Sequence, residues 1–260
     1  MISLIQLQKY LEEYMNYDRN IDVAKIDPYM TNGLMVRGRD KIKKIGFGVS
    51  ASLKFFKLAK EEECDGLIVH HSFNFPDRNR FDSIFQNRFN YLLNNEISLF
   101  GYHFLLDAHP EIGHNAQILQ TIGAKKDKQF NHHGDPWGWI GEYEKPMKFA
   151  SIIDNLKPYL SEKMTLYEFG PKEITKVVTV SGKGAPAPSV MQDLIDQRID
   201  LYITGEVHEW NRELFREAGI NFIAGGHYAT EVFGLKALMD KINGKFPSIE
   251  TKWLKLHNPV

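Results

Sequence analysis

One cysteine stands in the 260 residues, Cys64, so the chain can close no internal disulfide. No charged-apolar-small segment of the kind that marks secretion opens it, and a cytoplasmic protein is the expectation. No apolar run approaches the roughly 20 residues needed to cross a bilayer, so no membrane partner is expected. An excess of charge of one sign is also missing: 32 Lys and Arg stand against 33 Asp and Glu, a net charge of -1. A general binder of phosphate backbones carries a basic excess, so nucleic acid is not expected as the main partner. The short basic groups Lys41 to Lys44 and Lys125-Lys126 read as solvated faces beside strands. A phosphate-cradling P-loop is absent as well. Ser181-Gly182-Lys183-Gly184 lacks its spacing and reads as a turn that ends a strand.

What the chain has is an ordinary globular balance, 43% hydrophobic and 25% charged, over a length that suits two domains better than one core. Short apolar strands alternate with amphipathic helices, the pattern of α/β layers. A first helix is predicted over Leu4 to Tyr14, with Leu4, Leu7, Leu11 and Tyr14 on one face. After a turn-rich segment through Asp27-Pro28 and Thr31-Asn32-Gly33 come strands at Ile45 to Val49, Gly66 to Val69 and Ile97 to Tyr102. Helices through Phe55 and Leu58, and through Phe81, Phe85 and Phe89, separate them, the second entered by a polar loop around Pro76-Asp77-Arg78. The three phenylalanines at helical spacing read as core or subunit-interface packing.

A second cycle follows the loop His132-His133-Gly134-Asp135-Pro136, whose histidines read as solvated. Its strands are predicted at Trp137 to Tyr143, Val177 to Val180, Leu201 to Thr204 and Phe222 to Ala224. Its helices are predicted at Met147 to Leu156, Ser189 to Gln197, Asn211 to Ala218 and Tyr228 to Ile242. The fold class expected is therefore α/β in two lobes, 1–126 and 127–260, with mixed sheets flanked by helices. The C-terminal segment packing back onto the first lobe stays open.

In α/β sheets functional groups gather at the carboxyl ends of strands, and three clusters of metal-ligand residue types fall there. His70 and His71 end one strand, His103 and Asp107 follow another, and His227 and Glu231 follow a third across Gly225-Gly226. On a helix, positions i and i+4 share a face, so His227 and Glu231 can converge on one point. Each piece has an ordinary reading: His-x-x-x-Glu is commonly a surface pair, and Asp107 suits a helix cap. Their coincidence at strand ends favours a divalent metal site. Imidazole and carboxylate together suit Zn, Fe, Mn, Co or Ni.

In order and spacing, four segments resemble the NGG-interacting-factor-three-like family, often labelled GTP cyclohydrolase I type 2 homologues. They are Asp65 to His71, Tyr102 to Gly113, Ile203-Thr204-Gly205-Glu206 and Ala224 to Glu231. Asn32-Gly33-Leu34 and Ser181-Gly182-Lys183-Gly184 add to the resemblance, which spans nearly the whole chain. It implies two metal ions in a cleft between two α/β lobes, inside a toroidal homohexamer. Carried over position by position, His71 and Asp107 would hold one ion and His70 and His227 the other, with Glu231 bridging. A shared carboxylate suits two cations roughly 3.5–4 Å apart. Ser72 stands where many relatives have proline, and His114 where histidine is unusual. His109 and His114 read as helix-cap or surface residues.

The function this implies is metal-assisted hydrolysis of a small, nucleotide-like substrate, with His103 and Glu206 as the proton-carrying catalytic residues. GTP cyclohydrolase activity follows from the family label alone. The alternative is a non-catalytic metal-binding scaffold or regulatory ring.

Overall fold

The computed structural model describes residues 1–73, 81–256 and 258. The polar loop expected around Pro76-Asp77-Arg78 lies outside them. The chain forms two compact units, Met1–His109 with Leu235–His257, and Pro110–Gly234 with Asn258–Val260.

The first unit runs through β1 (Ile2–Ser3), α1 (Leu4–Met15), α2 (Val23–Ile26), β2 (Asn32–Val36), β3 (Lys41–Ile42) and β4 (Lys44–Ser50). It continues with α3 (Leu53–Glu61), β5 (Gly66–His71), α4 (Ser83–Asn94), β6 (Ser98–Tyr102) and α5 (Phe104–Ala108). The second begins with α6 (His114–Thr121), β7 (Lys125–His132), β8 (Asp135–Lys148), α7 (Phe149–Leu156) and β9 (Thr165–Tyr167). There follow β10 (Glu173–Val180), α8 (Met191–Asp196), β11 (Leu201–Thr204), α9 (Asn211–Ala218), β12 (Asn221–Ala224) and α10 (His227–Thr230). From Leu235, α11 (Phe233–Lys245) belongs to the first unit, as does β13 (Glu250–Trp253).

In the first unit a five-stranded sheet has the order β13-β4-β5-β6-β2, with all neighbours parallel except the antiparallel β2. β5 is its centre, which explains why Gly66 to His70 are all buried rather than alternating: helices cover both faces of such a strand. α1 opens with a reciprocal cap, Ser3 Oγ accepting from the Gln6 N–H while the Gln6 side chain accepts from the Ser3 N–H. Its inner face is Leu4, Leu7, Leu11 and Met15; Tyr14 packs beside it, against Tyr10 and His109. α4, capped by Asp82, gives only Leu92 to the fully buried core. Its phenylalanines stack along the helix, Phe81 on Phe85 at 4.6 Å and Phe85 on Phe89 at 5.8 Å. Phe85 and Phe89 pack half-buried against the first unit's core while Phe81 is 48% exposed, which makes this face a half-open aromatic ladder.

In the second unit a six-stranded mixed sheet has the order β7-β8-β10-β11-β12-β9, in which β10, β11 and β12 are parallel. Apolar clusters cover both faces, one around Ile152, Leu119 and Ile203 and the other around Tyr202, Phe215 and Phe222. The expected loop from His132 to Pro136 shrinks to the two-residue turn His133-Gly134. β7 and β8 form a hairpin in which His132 pairs with Asp135 across His133-Gly134. Both turn residues have positive φ, +53° and +90°, the geometry that matches the twist of paired strands. His132 is consequently buried, 5% exposed, whereas His133 stays in solvent as expected. Burial pushes the His132 imidazole down to about 4, and the neighbouring His133 adds to this.

The units meet the chain elsewhere than at 126/127. Ala116, Ile118 and Leu119 of α6 belong to the second apolar core, which draws that unit back to Pro110. β13 pairs with β4, so the C-terminal segment is part of the first sheet. The fold is mixed α/β, two sheets flanked by helices.

Candidate metal centre

In the first unit the donors stand where β5 and β6 end. His70 and His71 are neighbours on one strand, yet their rings lie 4.6 Å apart, and His103 joins them at 4.8 and 5.6 Å. Ring nitrogens of all three fall within 4.8 Å of one another. His70 is fully buried, and its Nδ1–H donates to the carbonyl of Tyr102 at 2.8 Å. That bond fixes the tautomer and leaves Nε2 as the lone-pair atom, the arrangement usual for a metal-ligating imidazole. Nε2 faces Asp107 Oδ2 at 3.5 Å. Two electron-rich atoms that close, both buried, favour a cation beside them. His71 Nδ1 contacts Ser50 Oγ at 3.2 Å, and the less enclosed edges of His71 and His103 line a cavity of about 560 Å³.

His103 is positioned by residues that the sequence reading passed over as turn. Asp27, 8% exposed, accepts at Oδ2 from His103 Nδ1–H at 2.9 Å, from the Asn32 amide at 2.9 Å and from the Phe104 N–H at 3.2 Å. Burial would raise the Asp27 carboxyl, but these bonds and the His103 charge outweigh it and hold it below its ordinary value. Asn32 Oδ1 accepts from the N–H groups of His103 and Leu105, both at 3.0 Å. The Asn32-Gly33-Leu34 segment is thus an anchor for the start of α5. Only Asp27-Pro28 as a turn was legible; an acid buried there has no local sequence mark.

In the second unit three strand ends meet. The N–H of Gly205 bonds to the carbonyl of Gly182 at 3.1 Å, that of Gly226 to Gly205 at 2.9 Å, and the Gly182 N–H to Thr230 Oγ1 at 3.0 Å. Gly226 has φ +96° and turns the chain from β12 into α10. There His227 and Glu231 share a face as the spacing implies, with Nε2 to Oε1 at 2.9 Å. Glu206 takes the other nitrogen, Oε1 to Nδ1 at 2.5 Å. The long helix expected over Tyr228 to Ile242 breaks between α10 and α11, and the break sets Glu231 at a helix end, 3% exposed. Gly182, at φ +57°, leaves room for this pair: a Cβ there would overlap Glu231 Oε1 and stand 3.2 Å from His227 Nε2.

Burial alone would lower the His227 imidazole, but the hydrogen bonds and charges of Glu231 and Glu206 outweigh it and raise it to about 9. Two carboxylates on one ring make a place for positive charge, filled by a proton when nothing else is bound. With imidazoles and carboxylates as donors the residues fit a borderline divalent ion such as Zn, Mn, Fe, Co or Ni. Cys64 stands apart, a buried thiol pushed up to about 12 by burial.

The two histidines read as surface or cap residues are neither exposed nor capping by side chain. His109 is 3% exposed, lies against the rings of Tyr14 and Tyr17, and donates from Nε2 to the Tyr14 carbonyl at 3.1 Å. His114 is fully buried, and its Nδ1 accepts from the Gly234 N–H at 2.9 Å. Both are buried, and each finds a backbone partner in place of water.

No helix among the described residues is long and apolar enough to cross a membrane. Comparison with known proteins agrees with the motifs. The curated "GTP cyclohydrolase 1 type 2 homolog" of Archaeoglobus fulgidus is 33% identical over 256 residues, covering 98% of each chain. Its namesake from Pseudomonas aeruginosa is 35% identical over 246 residues, covering 94% of this chain and 95% of that one. A solved structure described as "protein ybgI, unknown function" superposes with a TM-score of 0.84 at 30% identity over the full length of both chains. The sequence model of Duf34/NIF3 (NGG1p interacting factor 3) matches residues 6–259, and the chain belongs to that family.

Proposed function

We propose that this protein holds two divalent metal ions through His70, His71, Asp107, His227 and Glu231, and is a hydrolase of a nucleotide-like substrate. The observation that carries the reading is the buried imidazole of His70, oriented by the Tyr102 carbonyl, with Asp107, His71 and His103 gathered about it.

Two such ions would acidify a water and neutralise charge developing on a carbon or phosphorus under attack. The chain's own residues do the rest. His103 accepts or returns a proton at Nε2, because Asp27 holds Nδ1 and fixes the ring's tautomer and orientation, in the manner of a carboxylate behind a general base. Glu206, expected as a second proton carrier, instead grips His227 Nδ1, and we assign it the positioning of that ring. The cavity beside His71 and His103 gives a substrate access to the open side of the donors. An open side distinguishes a catalytic from a purely structural site.

The name shared by the curated relatives makes GTP the first substrate to test. Metal-loaded protein incubated with GTP and other nucleotides should release formate or phosphate, and His103→Ala should abolish the release while retaining metal. No turnover on any nucleotide, combined with a lower Tm on metal removal, would establish the scaffold role instead. The family resemblance also leads us to propose a cytoplasmic homohexamer. Light scattering should then give six times the 30.0 kDa of one chain.

A further inference from the structure

We propose that the cavity of about 560 Å³ beside the histidines is the substrate subsite, and that its ligand joins a planar aromatic ring to an anionic group, as a nucleotide does. The proposal rests on the hydrolase reading for its chemistry but not for its geometry. The volume lies within the ~300–1,000 Å³ of small-molecule sites. One end of the lining is His71 and His103, the donor cluster's less enclosed edge. The lining also holds an aromatic pair: Phe73, 3% exposed, stands edge-on to Phe85 at 5.4 Å, and a flat ring packs well against such edges.

One cationic group on the lining is open to a ligand. Arg88 has no ion pair among the described residues, so its planar, permanently charged fork is available to a phosphate or carboxylate. The single carboxylate on the lining, Asp82, is occupied as the cap of α4, accepting from the Phe85 N–H at 2.8 Å. Aromatic pair, cation and histidine edge therefore sit in one cavity, which places the anion near Arg88, the ring near Phe85 and the remaining atoms within reach of the donor cluster.

The test is calorimetric binding of GTP, guanosine and inorganic tripolyphosphate to metal-loaded wild type, Arg88→Ala, Phe85→Ala and the more conservative Phe85→Leu, with metal content measured for each. Arg88→Ala should weaken GTP and tripolyphosphate about tenfold or more and leave guanosine unchanged. Either Phe85 variant should weaken GTP and guanosine by a similar factor and leave tripolyphosphate unchanged. Metal content should match wild type in all three variants. Wild-type GTP affinity in the variants, or no binding of any probe by folded, metal-loaded wild type, overturns the subsite. Failure of the chain to take up metal strikes the hydrolase reading instead, because the Arg88 and Phe85 dependences are measurable on metal-free protein.

Discussion

Adding one methyl group at Gly182 tests the second unit's donor pair without touching a donor. The backbone there has φ +57°, where a Cβ costs about 1–2 kcal/mol. The new methyl would also overlap Glu231 Oε1 and press on His227 Nε2 at 3.2 Å. The carboxylate is the far end of a flexible side chain, so it can swing away and relieve the overlap. The fold therefore survives while the donor is displaced. Gly182→Ala should unfold at a urea concentration consistent with a loss of about 1–2 kcal/mol, with an unchanged m-value. Its metal affinity, read by chelator competition, should fall about 10- to 100-fold, the range for displaced support around a metal ligand. A stability loss with wild-type metal affinity would refute the placement of Glu231 as a ligand. A metal loss in Gly123→Ala, where φ is +74° and no atom lies within 4 Å, would show that backbone strain alone explains the effect.

Removing Asn32 should loosen the start of α5. Asn32→Ala strips acceptors from two N–H groups and a donor from Asp27, so a loss of about 1–3 kcal/mol in urea unfolding is expected, with lower hydrolytic activity. The buried His132 makes stability depend on pH. Its folded value, about 4, lies below the ~6.5 of the unfolded chain, so the unfolded state binds more protons between the two. Stability present above pH 6.5 is lost as pH falls toward 4, about 2–3 kcal/mol of it by pH 4.5. His132→Phe should lack that share of the fall; identical pH profiles for the two proteins would contradict it. Asp27→Asn should lower activity and leave metal content unchanged, since Asp27 contacts His103 and no proposed ligand.

The central strands were legible because they are apolar: β4, β5, β6, β10, β11 and β12 fall where the hydropathy pattern puts them. Six of the described strands were not, and four of these are edges: β13 and β2 in the first sheet, β7 and β9 in the second. An edge faces solvent and needs few apolar residues, as in Lys125 to His132 of β7, where six of the eight residues are exposed or half-exposed. The other two, β1 and β3, are two-residue strands that pair with each other. The donors were legible because each closes an apolar strand at its carboxyl end. Asp27 was not, because its role comes from the distant His103 and Phe104. His132, His109 and His114 show the same limit: neighbours in sequence say nothing of the distant residues whose packing buries a side chain in space.

Metal stoichiometry bears most directly on the central claim. Protein purified without a metal-binding tag and loaded with Zn, Mn or Fe should carry two divalent ions per chain by elemental analysis, and His227→Ala should lose one of them while remaining folded. Wild-type protein that retains no ion after loading, or His227→Ala that retains two, would contradict the account.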